Sequence, residues 1–227
     1  MKWWSLCVLL MFVSGTIVLG REGDVFSLPE PQLDGGPGIK EVMNARRSTR
    51  SFSGRSLGLD EVSLLLWASS GKKTDAVTGA TRTVPSAGGI YPVVVYLVVR
   101  DVDTLEQGVY RYEYRSHTLA LVKPGDLSRS LSKAAGGQVY VRTAPVCIVI
   151  AADSARMARV YGKRGEQRYV HIDAGHSAQN VYLAACSLSL GTVEVGAFVD
   201  ERVKSVLGLD DDEAPLLLMP VGHPGRR

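Results

Sequence analysis

Apolar and polar positions along the chain follow two rhythms, and each predicts its own kind of element. Residues 93–99 form an unbroken, mostly β-branched apolar run, as a strand buried on both faces requires, and residues 145–152 repeat it. Residues 108–115 alternate instead. Tyr110, Tyr112 and Tyr114 point one way, while Val109, Arg111 and Glu113 point the other. Ser116-His117 makes a turn and residues 118–122 return, completing a hairpin; residues 215–221 read as a last strand. The helical rhythm appears first in residues 39–44, where Ile39, Val42 and Met43 share a face. It recurs in residues 59–71, where Val62, Leu65, Leu66 and Ser69 repeat at three and four and Gly71 is placed to end the helix. Asp126 caps a helix through about Ala135, with Leu127, Leu131 and Ala134 inward. Asp153 opens another into Tyr161, and the glycines of residues 162–165 interrupt it. Residues 169–190 form the longest helix, with a small-residue surface of Ala174, Gly175, Ala178, Ala184 and Ala185. Asp200 caps the final helix, whose face is Val203, Val206 and Leu207, and Gly208 follows it. Residues 85–92 have no regular period.

The first twenty residues are built differently. Lys2 supplies one positive charge and residues 3–20 carry none, the arrangement of a secretory signal. The run is also nearly long enough to cross a bilayer as a retained anchor. Val18-Leu19-Gly20 offers a site for cleavage before Arg21. Residues 21–38 hold Pro29, Pro31, Pro37 and the turn signal Asp34-Gly35-Gly36, and read as a linker. Residues 39–227 then form one domain, expected to be exported or membrane-anchored.

Charge and candidate chemistry narrow the function. A net charge of +3 over 227 residues gives no footprint for nucleic acid. Cys7 lies in the leader, while Cys147 and Cys186 sit in apolar runs and read as buried free thiols. His171 and His176 are five apart on a helix, so their side chains diverge by about 140° and no metal site is expected. His176 reads as a packed core histidine. No glycine fingerprint of a dinucleotide fold, no phosphate-binding glycine–lysine loop and no nucleophile elbow occurs, and Ser86 has no evident base.

Arg46-Arg47-Ser48-Thr49-Arg50 puts three guanidinium groups and two hydroxyls into five residues. Guanidinium forks match phosphate oxygens, and hydroxyls add short bonds. The plain alternative is a basic face turned to water. The motif from Arg46 to Phe52 is followed by Pro85-Ser86-Ala87-Gly88-Gly89-Ile90-Tyr91-Pro92, then Asp173-Ala174-Gly175-His176-Ser177-Ala178-Gln179-Asn180, then residues 191–198 and 215–224. In this order, over about residues 39–225, they resemble the nitroreductase superfamily and its SagB/ThcOx branch of FMN-dependent dehydrogenases.

The resemblance implies an α+β fold, a mostly antiparallel sheet flanked by helices, in a homodimer with FMN at the interface. It implies that Arg46, Ser48 and Arg50 hold the flavin phosphate, with Arg47 contributing and Arg226 and Arg227 completing the site. It places Pro85, Ser86, Ala87 and Gly88 against the flavin ring, reached from the other subunit, and Val195, Gly196 and Ala197 near N5. Tyr169 is the candidate catalytic residue, because Arg168-Tyr169 stands where peptide-modifying members carry a Lys-Tyr pair. That departure separates the chain from azoline oxidation. The implied activity is hydride transfer through flavin N5 to or from a small organic substrate. A non-catalytic exported flavin-binding module is the alternative of a different class.

Because the apolar leader precedes a proline-rich stretch, it is expected to lie outside the folded domain. A chain beginning at Glu22 should give the far-ultraviolet dichroism of a folded protein and take up FMN. Loss of folding on that truncation would show the leader to be part of the core.

Overall fold

The computed structural model describes residue 21, residues 23–74, residue 79 and residues 81–225. The leader with Cys7, and the terminal Arg226 and Arg227, lie outside the described residues. The elements in chain order are β1 (Val25–Ser27), α1 (Ile39–Ala45), α2 (Leu59–Ser70), β2 (Val93–Val99), β3 (Gly108–Glu113), β4 (Thr118–Pro124), α3 (Ser128–Ala134), α4 (Val139–Thr143), β5 (Val146–Asp153), α5 (Ser154–Arg164), α6 (Val170–Ser187), β6 (Gly191–Thr192), α7 (Asp200–Leu207) and β7 (Glu213–Gly222). The strands form a seven-stranded sheet in the order β1-β4-β3-β2-β5-β7-β6. All six pairings are antiparallel. The fold class is therefore the α+β arrangement expected from the resemblance.

Burial explains why the two unbroken apolar runs became the centre. Every residue of β2 and of β5 is buried. On one face Val93, Val95, Leu97 and Val99 pack with Ile148 and Ile150 against α2 and α6. On the other, Val94, Tyr96 and Val98 pack with Cys147 and Val149 against α3, α4 and α7. The tyrosine stripe of β3 falls as its alternation predicts. Tyr110 and Tyr112 join the first face with Tyr114 packed beside them, and Arg111 turns to the second, where it bonds the buried Glu213 at 3.0 Å. The stripe is sheet packing.

The small residues of α6 let it lie close on the sheet: Ala174, Ala178, Ala184 and Ala185 are all buried in the first cluster. The interruption expected at residues 162–165 is a real break. Gly162 has φ 59°, in the left-handed region, and one π-turn, Gly165–Tyr169, leads into α6. Asp153 caps α5 by accepting from the Arg156 N–H at 3.0 Å.

Five details differ from the sequence reading. Asp200 is the first residue of α7 and not its cap, a place held by Val199. Within the stretch read as linker, Val25–Ser27 pairs with β4 and Phe26 meets Tyr110 edge-on at 5.7 Å; three residues are too few for a periodic signal. The five-residue helix α4 after Gly136-Gly137 was not foreseen, for the same reason. His176 is exposed, not a core histidine, because the buried positions of its turn are Asp173, Ala174, Ser177 and Ala178. Cys147 is a buried free thiol, while Cys186 is only half-buried.

Two contacts dock the arginine segment onto the sheet edge. The Thr49 N–H donates to Thr192 O at 2.8 Å, and Gly191 faces the Thr49 side chain so closely that a Cβ there would come within 2.6 Å of it. Thr49 is β-branched and cannot swing aside cheaply. Gly191→Val should therefore cost about 1–3 kcal/mol by overpacking, seen as a lower urea midpoint with an unchanged slope. Wild-type stability in this variant would show that the edge yields freely.

Candidate active site

The basic motif leaves α1 at Arg46 and runs as an extended segment along the sheet edge. Ser48 bridges Thr192 and Phe52 bridges Pro224. Ser53 N–H donates to His223 O at 2.9 Å, and Gly225 N–H donates to Ser51 O at 2.9 Å. The segment is thus held on both sides, by β6 and by the strand-like chain end. Arg226 and Arg227 follow Gly225 directly but lie outside the described residues.

Tyr182, on α6, joins the motif to the loop after β6. Its hydroxyl accepts the Glu194 N–H at 2.8 Å and lies 3.1 Å from Ser48 Oγ, while the Arg46 guanidinium stands 5.0 Å above its ring. Because Tyr182 accepts from Glu194 and keeps its own proton, it can donate to Ser48 and leave the serine proton for an anion. Beyond Glu194, Val195 exchanges both backbone bonds with Leu218 at 2.9 Å. Gly196 and Ala197 then turn out to solvent, and a Cβ at Gly196 would meet nothing within 4 Å. Arg46, Ser48 and the segment Val195-Gly196-Ala197 are therefore brought to one edge by a tyrosine that sequence reasoning missed. A lone aromatic on a small-residue helix face carries no signal of its own.

The donor set fits a phosphate. Arg47, Ser48 and Arg50 are exposed and Arg46 half-buried, and among the described residues no carboxylate lies within ion-pair distance of any of the three arginines. A cavity of about 240 Å³ adjoins them, lined in part by Arg47, Tyr182 and Thr192. Among the described residues the buried Thr192 Oγ1 has no hydrogen-bond partner. Such a group is costly to leave unpaired.

Pro85, Ser86, Ala87 and Gly88 lie elsewhere. The Ser86 hydroxyl donates to Asp173 Oδ2 at 2.5 Å and accepts the Tyr91 N–H at 2.8 Å, and the Ala87 N–H reaches Asp173 Oδ1 at 3.4 Å. Ser86 is thus committed on both sides and is no nucleophile. Burial pushes the Asp173 carboxyl above its usual range, against the pull of the Ser86 and Ala87 bonds. Asp173 is on the first turn of α6 and Tyr182 nine residues on, about 13 Å along the axis. One chain thus separates the loop from the arginines by half the helix. Tyr169 sides with the loop: it shares a small apolar cluster with Ala87 and Ile90 and meets Tyr161 edge-on at 5.1 Å. Gly88 has φ 61°, and a Cβ there would come within 2.6 Å of Tyr161 Oη. A large residue at Gly88 would therefore disturb α5 as well as any ring site.

With this geometry in place, likeness to known proteins decides the class. The sequence profile of the nitroreductase family matches residues 43–223. The chain belongs to the nitroreductase family. A nitroreductase homologue of Methanocaldococcus jannaschii is 42% identical over 201 residues, covering 88% of this chain and 98% of that one. A crystal structure of a nitroreductase homologue from Ralstonia eutropha superposes with a TM-score of 0.79 at 31% identity, covering 92% of this chain and 93% of the other. The trifolitoxin-processing protein TfxB of Rhizobium leguminosarum is 32% identical over 164 residues, 68% of this chain but 44% of its own length. As a nitroreductase, the chain is an FMN-dependent oxidoreductase, and the arginine edge has the chemistry that the flavin phosphate needs.

Tyr182→Phe keeps the ring under Arg46 but removes the hydroxyl that holds Ser48 and Glu194. FMN affinity should fall by about 1 kcal/mol and stability by a similar amount, read by flavin fluorescence titration and urea unfolding. Unchanged FMN affinity would release Tyr182 from this role.

Proposed function

We propose that this nitroreductase is a dehydrogenase or reductase of the SagB-type branch, acting on a small organic substrate at a site shared by two copies of the chain. The observation that carries the reading is the pair of half-sites anchored nine residues apart along α6, at Asp173 and Tyr182. One offers Ser48 and three guanidinium groups with no carboxylate partner among the described residues. The other offers a loop of small residues pinned to Asp173. A second copy placing its loop over the first copy's arginine edge would complete both sites. Likeness to the trifolitoxin-processing protein supports the branch.

When bound, FMN supplies hydride chemistry at its N5. This chain's own residues do the rest. Arg46, Arg47, Ser48 and Arg50 would hold the phosphate, with Arg226 and Arg227 as further candidates. Tyr182 fixes Ser48 and the backbone leading to Val195, Gly196 and Ala197. Those three would present open backbone to the ring, since no side chain crowds Gly196. Pro85 to Gly88 would cover the ring and exclude water, and Tyr169, packed beside that loop, is the candidate to meet substrate. Residues 1–20, with one lysine before an uncharged run, would take the protein across a membrane as a secretory signal or hold it there as an anchor.

The reading is tested through the phosphate. FMN should bind far better than riboflavin, and Arg50→Ala should cost about 1–3 kcal/mol of FMN affinity while leaving riboflavin affinity unchanged, as loss of a charge-assisted bond demands. Equal affinity for the two flavins in the wild type would reject it. The shared site is tested by sedimentation. FMN should shift the chain toward dimer by mass action, and a flavin-loaded monomer would exclude the two-copy site.

A further inference from the structure

The strands carry a second concentration of arginines at their other end. Val99 pairs with Val146, Val146 with Val221 and Val221 with Thr192, so the flavin phosphate edge lies at the end of β2 marked by Val99. At the Val93 end, about 20 Å away along the strand, a cavity of about 350 Å³ is lined by Arg82, Arg111, Arg115, Arg156, Tyr91 and Tyr114, among others.

Most charges around it are already matched. Arg111 bonds Asp210 at 2.5 Å and Glu213 at 3.0 Å, and its Nε lies 3.4 Å from Glu113. Arg156 lies 3.4 Å from Asp153. Arg82 and Arg115 have no carboxylate partner among the described residues. Arg82 is the unusual one, at only 8% exposure. Its Nη1 donates to Ser70 Oγ at 2.9 Å and to Val93 O at 3.2 Å, and its guanidinium lies 3.7 Å from the Tyr114 ring centre and 5.1 Å from that of Tyr91. Its Nε is buried with no hydrogen-bond partner among the described residues. Burial works against its charge, and so do Arg156 and Arg115, yet a guanidinium does not give up its proton. A structural staple would be expected to spend every buried donor; this one keeps one in reserve beside a cavity.

The cavity wall is also held under strain. Tyr91 has φ 55°, unusual for a bulky residue, and is pinned from both sides: Ser86 Oγ accepts its N–H at 2.8 Å and Arg156 Nη1 donates to its carbonyl at 3.4 Å. Such over-determined strain concentrates at ligand sites.

We propose that this cavity binds the oxyanion group of a small molecule, a carboxylate or a phosphate ester, with Arg82 as its buried anchor and Arg115 at its mouth. The site is separate from the flavin phosphate edge and does not rest on the flavin reading. Titration calorimetry of the full chain with malonate and with inorganic phosphate, at saturating FMN and without it, tests the proposal. Saturable binding of malonate points to a carboxylate and of phosphate to a phosphate ester, and either supports the site. Arg115→Ser should weaken that binding about tenfold, the scale of one charge-assisted bond, and Arg82→Gln should abolish it while FMN affinity stays. Arg50→Ala should do the reverse, losing FMN and keeping the anion. Should Arg82→Gln fail to fold, Arg115→Ser decides. No saturable binding of either anion, binding untouched by Arg115→Ser, or binding lost with Arg50→Ala would overturn the proposal. A failure of the flavin reading shows separately, as equal FMN and riboflavin affinity with anion binding intact.

Discussion

Burial of the central sheet on both faces is the constraint from which the rest follows. Every residue of β2 and β5 is buried, so their backbone polar groups have to be paired within the sheet. The antiparallel ladder does this, and it requires helices above and below. The polar chemistry is thereby expelled to the strand ends and to the outermost strand, and both arginine groups lie there.

Helix α6 sets the spacing between the Ser86 loop and the arginine segment. Its alanines let it press against the sheet, which fixes its axis. Its two polar anchors, Asp173 and Tyr182, then hold the loop and the arginine segment at a set separation. Both anchors are buried side chains that bind backbone as well as side-chain groups, so they locate the chain and not merely a side chain. The same logic explains why the arginines need no carboxylate partner among the described residues. Their segment is positioned by backbone bonds to Thr192, His223 and Gly225, and the guanidinium groups are not needed to hold it.

The arginine groups at the two ends of the sheet differ in physical kind. Arg47 and Arg50 are exposed, so their charges are hydrated until a ligand comes, and keeping them so costs little. Arg82 is buried, and among the described residues its charge is eased by hydrogen bonds to Ser70 and Val93 and by the rings of Tyr91 and Tyr114. An exposed cluster can hold a ligand of varied shape, whereas a buried fork between rings constrains geometry.

Periodicity along the chain determined the long elements. The buried runs at 93–99 and 145–152, the tyrosine alternation, the α2 and α6 helices and the break at Gly162 were all legible, because each buries a face whose spacing repeats several times. Candidate chemistry stood out where residue types crowd together, as in Arg46 to Arg50, and the order of motifs carried the family. Short pieces were not: β1 and α4 span too few residues to show a period, and their form comes from pairing with β4 and from packing against α3. Nor could the sequence reveal that His176 would face solvent, since a turn of small residues leaves the buried direction undecided until the helix docks. Tyr182 and Arg82 show the limit most clearly. Each is a single residue far in sequence from what it touches, and only the fold brings Tyr182 to Ser48 and Glu194, or closes two tyrosine rings around Arg82.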